Sequence, residues 1–468
     1  MIHVCNYGDV TDIFHVAPSR RAAHYAYLRR ENKKLHRDWM DFGGHESARV
    51  YSLHMKLFVT CFSFATLLLS NFLTADNWPT WRGPNENGSA TGGTYPVQLT
   101  DEAKWEWRVA LPGKGCSTPV VWEDHIVVTA PVDGQDALLA YDWKGKERWR
   151  TTFGKENAGR HRNGSGSNSS AVTDGQAFYV FFKSKTLAAV DFAGKILWQQ
   201  NLNPLGRDTL YWDFGTSPVL TEKHVVMALM REGNSWLAAY EKQTGKLAWK
   251  VERNYETPRE GDHSYSTPLV IRHAGRVALL VWGAERLTAH DAANGKILWS
   301  CAGFNPQKKN NWVVVSSFVK VGDMAVVPYG RGSKLAGIRL GGKGDVTESH
   351  RAWETEASSF VPTPAAHGGR VYTVRDRGEV LCTDPKTGQT IWQGALPKDR
   401  ASYYSSPSIG DGKLYAARED GTVYVAQIEG EFKVLSENVM GERIIASPVP
   451  LNSRLLLRGE KHLYCIKP

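Results

Sequence analysis

"AHDAANGKILW", residues 289–299, decides the fold, because the chain spells it several times over. "AYDWKGKERW" occupies 140–149, "AVDFAGKILW" 189–198, "AYEKQTGKLAW" 239–249 and "CTDPKTGQTIW" 382–392. Each copy runs from a small residue to an acid, a turn containing Gly, a Lys or Gln, and a final Trp. A weaker copy ends at Trp353, and Val434 stands where a further Trp is expected. Self-similarity at a fixed period marks a repeat architecture.

A second phrase precedes each copy: "STPVV" at 117, "SSAV" at 169, "TSPVL" at 216, "STPLV" at 266, "SSFV" at 316, "PTPA" at 362, "SSPSI" at 405 and "ASPVP" at 446. That makes eight units, spaced about 41 to 52 residues apart. The fourth unit reads as four short strands. Strand A starts at Ser266-Thr267-Pro268, B is Val277 to Trp282, C is Leu287 to His290, and D carries Lys296 to Trp299. Asp291 to Gly295 make a tight hairpin, with Gly295 supplying the positive φ. Radial repetition of four-stranded units predicts an all-β propeller.

Unit eight ends at "HLYCIKP", before any strand D. "KWEWRVALPG" (104–113) precedes unit one and carries Trp107 in the expected place. An eight-bladed β-propeller of four-stranded antiparallel blades follows, closed by pairing of the N- and C-terminal strands so that no sheet edge is left between the termini. Trp107, Trp149, Trp198, Trp249, Trp299, Trp353 and Trp392 are the expected docking residues between blades. The chain's 17 Trp and 44 Gly among 468 residues suit such an array.

The N-terminus reads separately. Met55 begins "MKLFVTCFSFATLLLSNFLTAD": a single Lys, an apolar run from Leu57 to Leu69, and a small residue at Ala75, which is the pattern of a cleaved signal peptide. The predicted organisation is an upstream extension or disordered leader over 1–54, a signal peptide over 55–75, an N-terminal segment over 76–103 and the propeller over 104–468. Export to the periplasm or medium is expected. The alternative is anchoring by an uncleaved segment at 57–73, which is marginal in length for a span. Without residues 1–75 the chain keeps 48 basic and 42 acidic residues, a net charge of +6. That is compatible with an acidic ligand without requiring one. Nucleic acid is not indicated, since no basic run occurs. Cys116, Cys301, Cys382 and Cys465 show no CxxC or adjacent pair, so no disulfide framework is expected.

The phrase A-x-D-x-x-T-G-K-x-x-W resembles the tryptophan-docking motif of the quinoprotein alcohol dehydrogenase-like β-propellers, over residues 104–468. "NWPTWRGPNENG" (77–88) resembles the opening of exported PQQ-binding-like β-propeller repeat proteins of planctomycete-type bacteria. That resemblance spans PQQ-dependent dehydrogenases and assembly scaffolds of the BamB type, and fold alone does not choose between them. For the dehydrogenases it implies adjacent cysteines over the quinone and a Glu–Asn–Asp set for calcium. Neither carries over to this sequence, so no cofactor, metal or catalytic residue is assigned, and PQQ belongs to the alternative reading. Cys382 and Cys465 fall in the small-residue slot of strand C, where a free thiol packs as a small apolar group. "GIRLGGKG" (337–344) nearly matches a P-loop, but Gly344 stands where Ser or Thr must bind magnesium, and a turn is the expected reading.

A ligand would sit where the loops before strand A and between strands B and C ring one end of the channel. The candidate funnel residues there are Arg231, Arg331, Arg375, Arg418 and Arg458, with Tyr211, Trp212, His263, Tyr265, Trp312, Tyr403 and Tyr404. Lys183, Arg377 and His161 lie in the same loops. Arg forks and aromatic rings suit an anionic or sugar-like guest. The competing reading is that the arginines solvate the rim and pair with neighbouring acids. The expected function is a monomeric, non-catalytic binding propeller whose partner is a protein, a peptide or an acidic polysaccharide. The alternatives are a PQQ-dependent dehydrogenase, another funnel-based carbohydrate-active enzyme, or a BamB-like outer-membrane assembly scaffold.

Overall fold

A computed structural model describes residues 76–202 and 209–468. The leader and signal peptide read from the sequence lie outside the described residues. Eight sheets follow one another around an axis. Blades 1 to 7 take their strands from 120–155, 172–201, 219–252, 269–301, 319–355, 365–395 and 408–439. Blade 8 combines Val449–Leu451, Arg454–Arg458 and His462–Ile466 with Trp105–Ala110 from the other end of the chain. In that closure Trp107 pairs with Cys465, Arg108 with Tyr464 and Val109 with Leu463. The expected eight-bladed ring, closed by its two terminal strands, is the observed architecture.

The core lies between sheets. Phe178–Phe181 and Thr186–Val190 of blade 2 are buried along their whole length, because each sheet is covered on both faces by its neighbours. Tyr179 and Trp198 of that blade pack with Met227 and Trp236 of the next. Strand D is outermost and alternates, as in Leu247–Glu252. Strands B and C therefore read as continuous apolar runs, and strand D as an alternating one.

The repeated phrase has a local geometry. The small residue of strand C faces the Trp of strand D: Ala140 opposite Trp149, Ala239 opposite Trp249, Cys382 opposite Trp392. The register slips one step further on in each, which is a β-bulge. In blade 5 Gly337 faces Trp353, and a Cβ there would lie 2.2 Å from the indole. The indole then reaches the next blade. Nε1 of Trp107, Trp149, Trp198, Trp249 and Trp353 donates to the carbonyl of Trp143, Phe192, Lys242, Ala292 and Pro385, at 2.7–3.1 Å. The accepting hairpin carries the Gly of the motif for two reasons: Gly295 has φ 74°, and a Cβ on it would meet the Trp249 ring at 2.7 Å.

Trp299 and Trp392 make no such bond; the indole N–H of each is buried without a partner. Blade 5 lacks the tight hairpin after strand C. Its longer connection lays Gly344–Asp345 parallel to Trp299–Ser300 as a fifth strand on blade 4 and buries Trp299 beside Val346. The P-loop-like stretch is the start of this connection. Blade 7 has Val434 in place of Trp, and Phe432 of that blade instead meets Trp392 with ring centroids 5.5 Å apart. Strand A of blade 4 begins at Leu269, three residues later than the sequence suggests. Pro268 cannot donate to the ladder, and the residues before it turn to the axis.

Residues 77–89 form a strap across the end of the channel on the A–B hairpin side. Trp78 pairs with Val121 of blade 1, and Thr173 N of blade 2 donates to Pro79 O. On the far side Ala366 N of blade 6 donates to Asn87 O and Ile409 N of blade 7 to Gly88 O.

Candidate functional site

A cavity of about 530 Å3 fills the axis. Its wall is the second residue of the upstream phrase, one from each blade: Thr118, Ser170, Ser217 and Thr267, then Ser317, Thr363, Ser406 and Ser447. These residues are joined hand to hand. Thr118 N donates to Ser170 Oγ at 2.9 Å, Ser170 N to Ser217 Oγ at 3.0 Å, and Ser217 N to Thr267 Oγ1 at 3.0 Å. Thr267 N, Ser317 N and Thr363 N continue to the next hydroxyl at 3.0, 2.9 and 3.0 Å, and Ser447 N returns to Thr118 Oγ1 at 3.2 Å. Seven of the eight amides at the inner edges of the blades are thus satisfied by the neighbouring blade. Just before this ring, Ser169 Oγ donates to Thr216 O at 2.7 Å and Thr216 Oγ1 to Ser266 O at 3.0 Å.

Trp81 of the strap lines the bottom, and the loops before strand A line the mouth, so the cavity is a cup. Arg82 fixes the floor. Its guanidinium is buried and donates to Pro407 O at 2.9 Å and Pro364 O at 3.0 Å, and burial lowers its pKa to about 9. At the mouth stand Trp212, Tyr265, Phe360 and Tyr404 with Arg331, Arg377 and His161. Trp212 is half exposed and meets His161 edge to face at 4.2 Å. Its backbone N–H donates to Tyr265 OH at 3.2 Å. Arg331 lies over the Phe360 ring at 4.5 Å. The one carboxylate among the lining residues, Asp376, accepts from Phe360 N at 2.8 Å and Val361 N at 3.2 Å, and burial raises its pKa.

Of the candidate funnel residues, Arg331, Trp212, Tyr265 and Tyr404 line the cup. The others lie elsewhere. Arg458 turns inward: it is fully buried, donates to Ser117 O at 3.0 Å and Thr129 O at 2.7 Å, and burial lowers its pKa to about 10. Arg418 is clamped by Asp420 at 2.7 Å and bonds Tyr424 OH at 3.3 Å. Arg231 Nε donates to Asn234 O, and Arg375 Nε to Ser358 O. Tyr403 is buried against Tyr424. Trp312 is tied to Phe304 O at 2.7 Å, and Tyr211 OH accepts from Arg259. His263 is buried, with Nε2 3.3 Å from Thr209 Oγ1. Lys183 pairs with Asp213 at 2.5 Å behind the wall. Of these arginines Arg418 pairs with a neighbouring acid, while Arg231, Arg375 and Arg458 hold backbone carbonyls.

The hydroxyl ring and Trp81 are among the lining residues not singled out in the sequence, as are Phe360 and Asp376 at the mouth. The signal for the ring and Trp81 was present: the Ser/Thr before each strand A recurs eight times, and Trp81 lies inside "WPTWRGP". Among the described residues no three of His, Cys, Asp or Glu come together to hold a metal ion. The cup does not offer the donor set that a quinone–calcium pair requires. Its hydroxyls accept backbone amides, with no histidine or carboxylate beside them to activate one as a nucleophile. Cys116 donates to Asn163 O at 3.5 Å, and burial pushes its thiol up.

Eight blades, seven of them carrying the docking Trp, around a one-mouthed axial cup define a β-propeller of the PQQ-like repeat class. The chain belongs to the family described as outer membrane protein assembly factor BamB, whose model matches residues 89–210, 204–394 and 343–430. It is 20% identical over 343 residues to the outer membrane protein assembly factor BamB of Yersinia pestis, covering 72% of this chain and 81% of that protein. In structure it is similar to BamB from Moraxella catarrhalis, at TM-score 0.58 and 16% identity over 77% of this chain and 98% of that one. A europium-containing methanol dehydrogenase is similar too, at TM-score 0.59 and 11% identity over 84% and 89%. Likeness at these identities carries the fold and no chemistry. No helix among the described residues is long and apolar enough to cross a membrane.

Proposed function

We propose that this chain is an exported, non-catalytic propeller that holds a segment of a protein partner in its axial cup. The observation that carries the reading is the cup itself: a hydroxyl wall, an indole floor, and a mouth where Trp212 and Tyr404 stand with Arg331 and Arg377. Its volume suits a few side chains of an extended segment and excludes a folded domain. Aromatic rings and arginines are the residues that dominate partner anchoring, and two mouth arginines favour an acidic segment. The family's description as an assembly factor supports a protein partner over a small substrate. Among the described residues no ring hydroxyl is hydrogen-bonded to a histidine or carboxylate that could activate it for nucleophilic catalysis.

The test is a fluorescence-anisotropy titration with labelled acidic, neutral and basic decapeptides at low salt. Acidic peptides should bind, and the Arg331→Glu, Arg377→Glu double variant should weaken them by about tenfold or more, since each charge contact adds order-kcal attraction when salt is low. Unchanged binding in the double variant would remove the mouth from the reading. Retention on an acidic polysaccharide with no peptide binding would replace the protein partner by a glycan.

A further inference from the structure

We infer that the throat of the cup, at the level of the ring running from Thr118 to Ser447, is an anion-binding site, and that the group it takes from a bound segment is a carboxylate. The second half of this inference rests on the reading of the cup as a partner site; the first half does not.

A hydroxyl carries one donor and two acceptor positions. Around the ring seven of the eight hydroxyls act as acceptors, each taking the amide of the preceding blade. Among the described residues none of the eight hydroxyl hydrogens has a protein acceptor. All eight groups line the cavity, and none exceeds 6% exposure. Polar hydrogens in such a place seek a partner, and the only open direction is inward. The circle thus faces the axial cavity with donors to spare, while seven of its eight hydroxyls already spend acceptor capacity on an amide. A guest with lone pairs and no hydrogens to give fits it; an ammonium ion does not.

The charge behind the ring has the matching sign. Arg82 and Arg458 are buried guanidiniums whose hydrogen bonds run to carbonyls and a serine hydroxyl, with no carboxylate among their partners. Arg82 holds Pro364 O and Pro407 O, each one residue beyond a ring member, Thr363 and Ser406. Arg458 holds Ser117 O, one residue before Thr118. Both remain charged at neutral pH, since burial brings them no lower than about 9 and about 10. A buried cation without a counter-ion leaves a field that a nearby anion relieves. Three acids are close enough to weigh against this. Glu419, which accepts from the lining residues Asn163 and Ser402, is itself paired with Arg443 at 2.9 Å and Arg162 at 3.4 Å. Asp376 at the mouth spends both carboxylate oxygens on backbone amides. Glu86, which shares a small pocket with Trp81, is raised by burial to about 7.

The experiment has two arms. In the first, crystals of the protein are soaked in sodium bromide, and the variants Ser217→Asp and Ser217→Asn are treated alike. Both side chains can still accept the Ser170 amide, but Asp removes the donor and adds a negative charge, whereas Asn keeps a donor. The expected result is an anomalous bromide peak on the axis within the ring, kept in Ser217→Asn and lost in Ser217→Asp. In the second arm, identical acidic decapeptides ending in a free carboxylate or in an amide are titrated by anisotropy. The free carboxylate should bind about tenfold tighter, as a charge-assisted contact implies. No bromide in the ring together with equal binding of the two peptides overturns the inference and leaves the partner reading standing. Bromide in the ring with no peptide bound at all upholds the anion site and overturns the partner reading.

Discussion

Two circles of contacts hold this propeller together, and they differ in kind. At the outer circle an indole from one blade reaches over the hairpin glycine of the next and bonds a carbonyl. At the inner circle an amide from one blade bonds a hydroxyl of the next. The outer circle is bulky and tolerant. Blade 7 replaces its Trp by Val434 with Phe432 as the filler, and Trp299 loses the hairpin carbonyl but gains a fifth strand. The inner circle is small and uniform, with a hydroxyl from every blade. Apolar area can be supplied by any residue of suitable volume, whereas a buried amide accepts only a group that bonds it. Stability can therefore drift at the rim, while the axis, where the candidate site lies, keeps its chemistry in each blade.

Substitutions sharpen this contrast. Trp299→Ala empties a fully buried site and should cost about 3–5 kcal/mol in urea unfolding, as large-to-small core changes do. Trp249→Ala removes a half-buried ring and should cost ~3 kcal/mol, the low end of that range. If the two cost the same, the fifth strand adds nothing to the docking of Trp299. At the inner circle, Thr267→Val keeps the volume and removes the acceptor of the Ser217 amide. It should cost about 1–3 kcal/mol for the stranded N–H. A change below about 0.5 kcal/mol would mean that water replaces the hydroxyl at no penalty, and the two circles would then be equally tolerant.

The two circles were not equally legible in the sequence. Trp is rare, its phrase is rigid, and its spacing counts the blades, including the one split between residues 104–113 and the C-terminus. The Ser/Thr before strand A was visible in the same count, but Ser and Thr are common before strands, and nothing local says that eight of them meet on an axis. Arg458 and Arg418 show the opposite failure. Charged residues at strand ends read as rim groups, yet Arg458 turns under Thr118 and Arg418 closes on Asp420, two residues away. Side-chain direction at a loop depends on which carbonyls the folded ring leaves open, and spacing does not encode that. The fifth strand at Gly344–Asp345 was equally hidden, because its partner lies in the preceding blade.

The central claim is that the axis, and not the rim, is where this protein meets its partner. A crystal structure grown with an acidic decapeptide ending in a free carboxylate tests it most directly. The account predicts peptide density entering past Trp212 and Tyr404, with its carboxylate inside the hydroxyl ring above Trp81. Peptide density on an outer strand edge, with the cup holding only water, would contradict it.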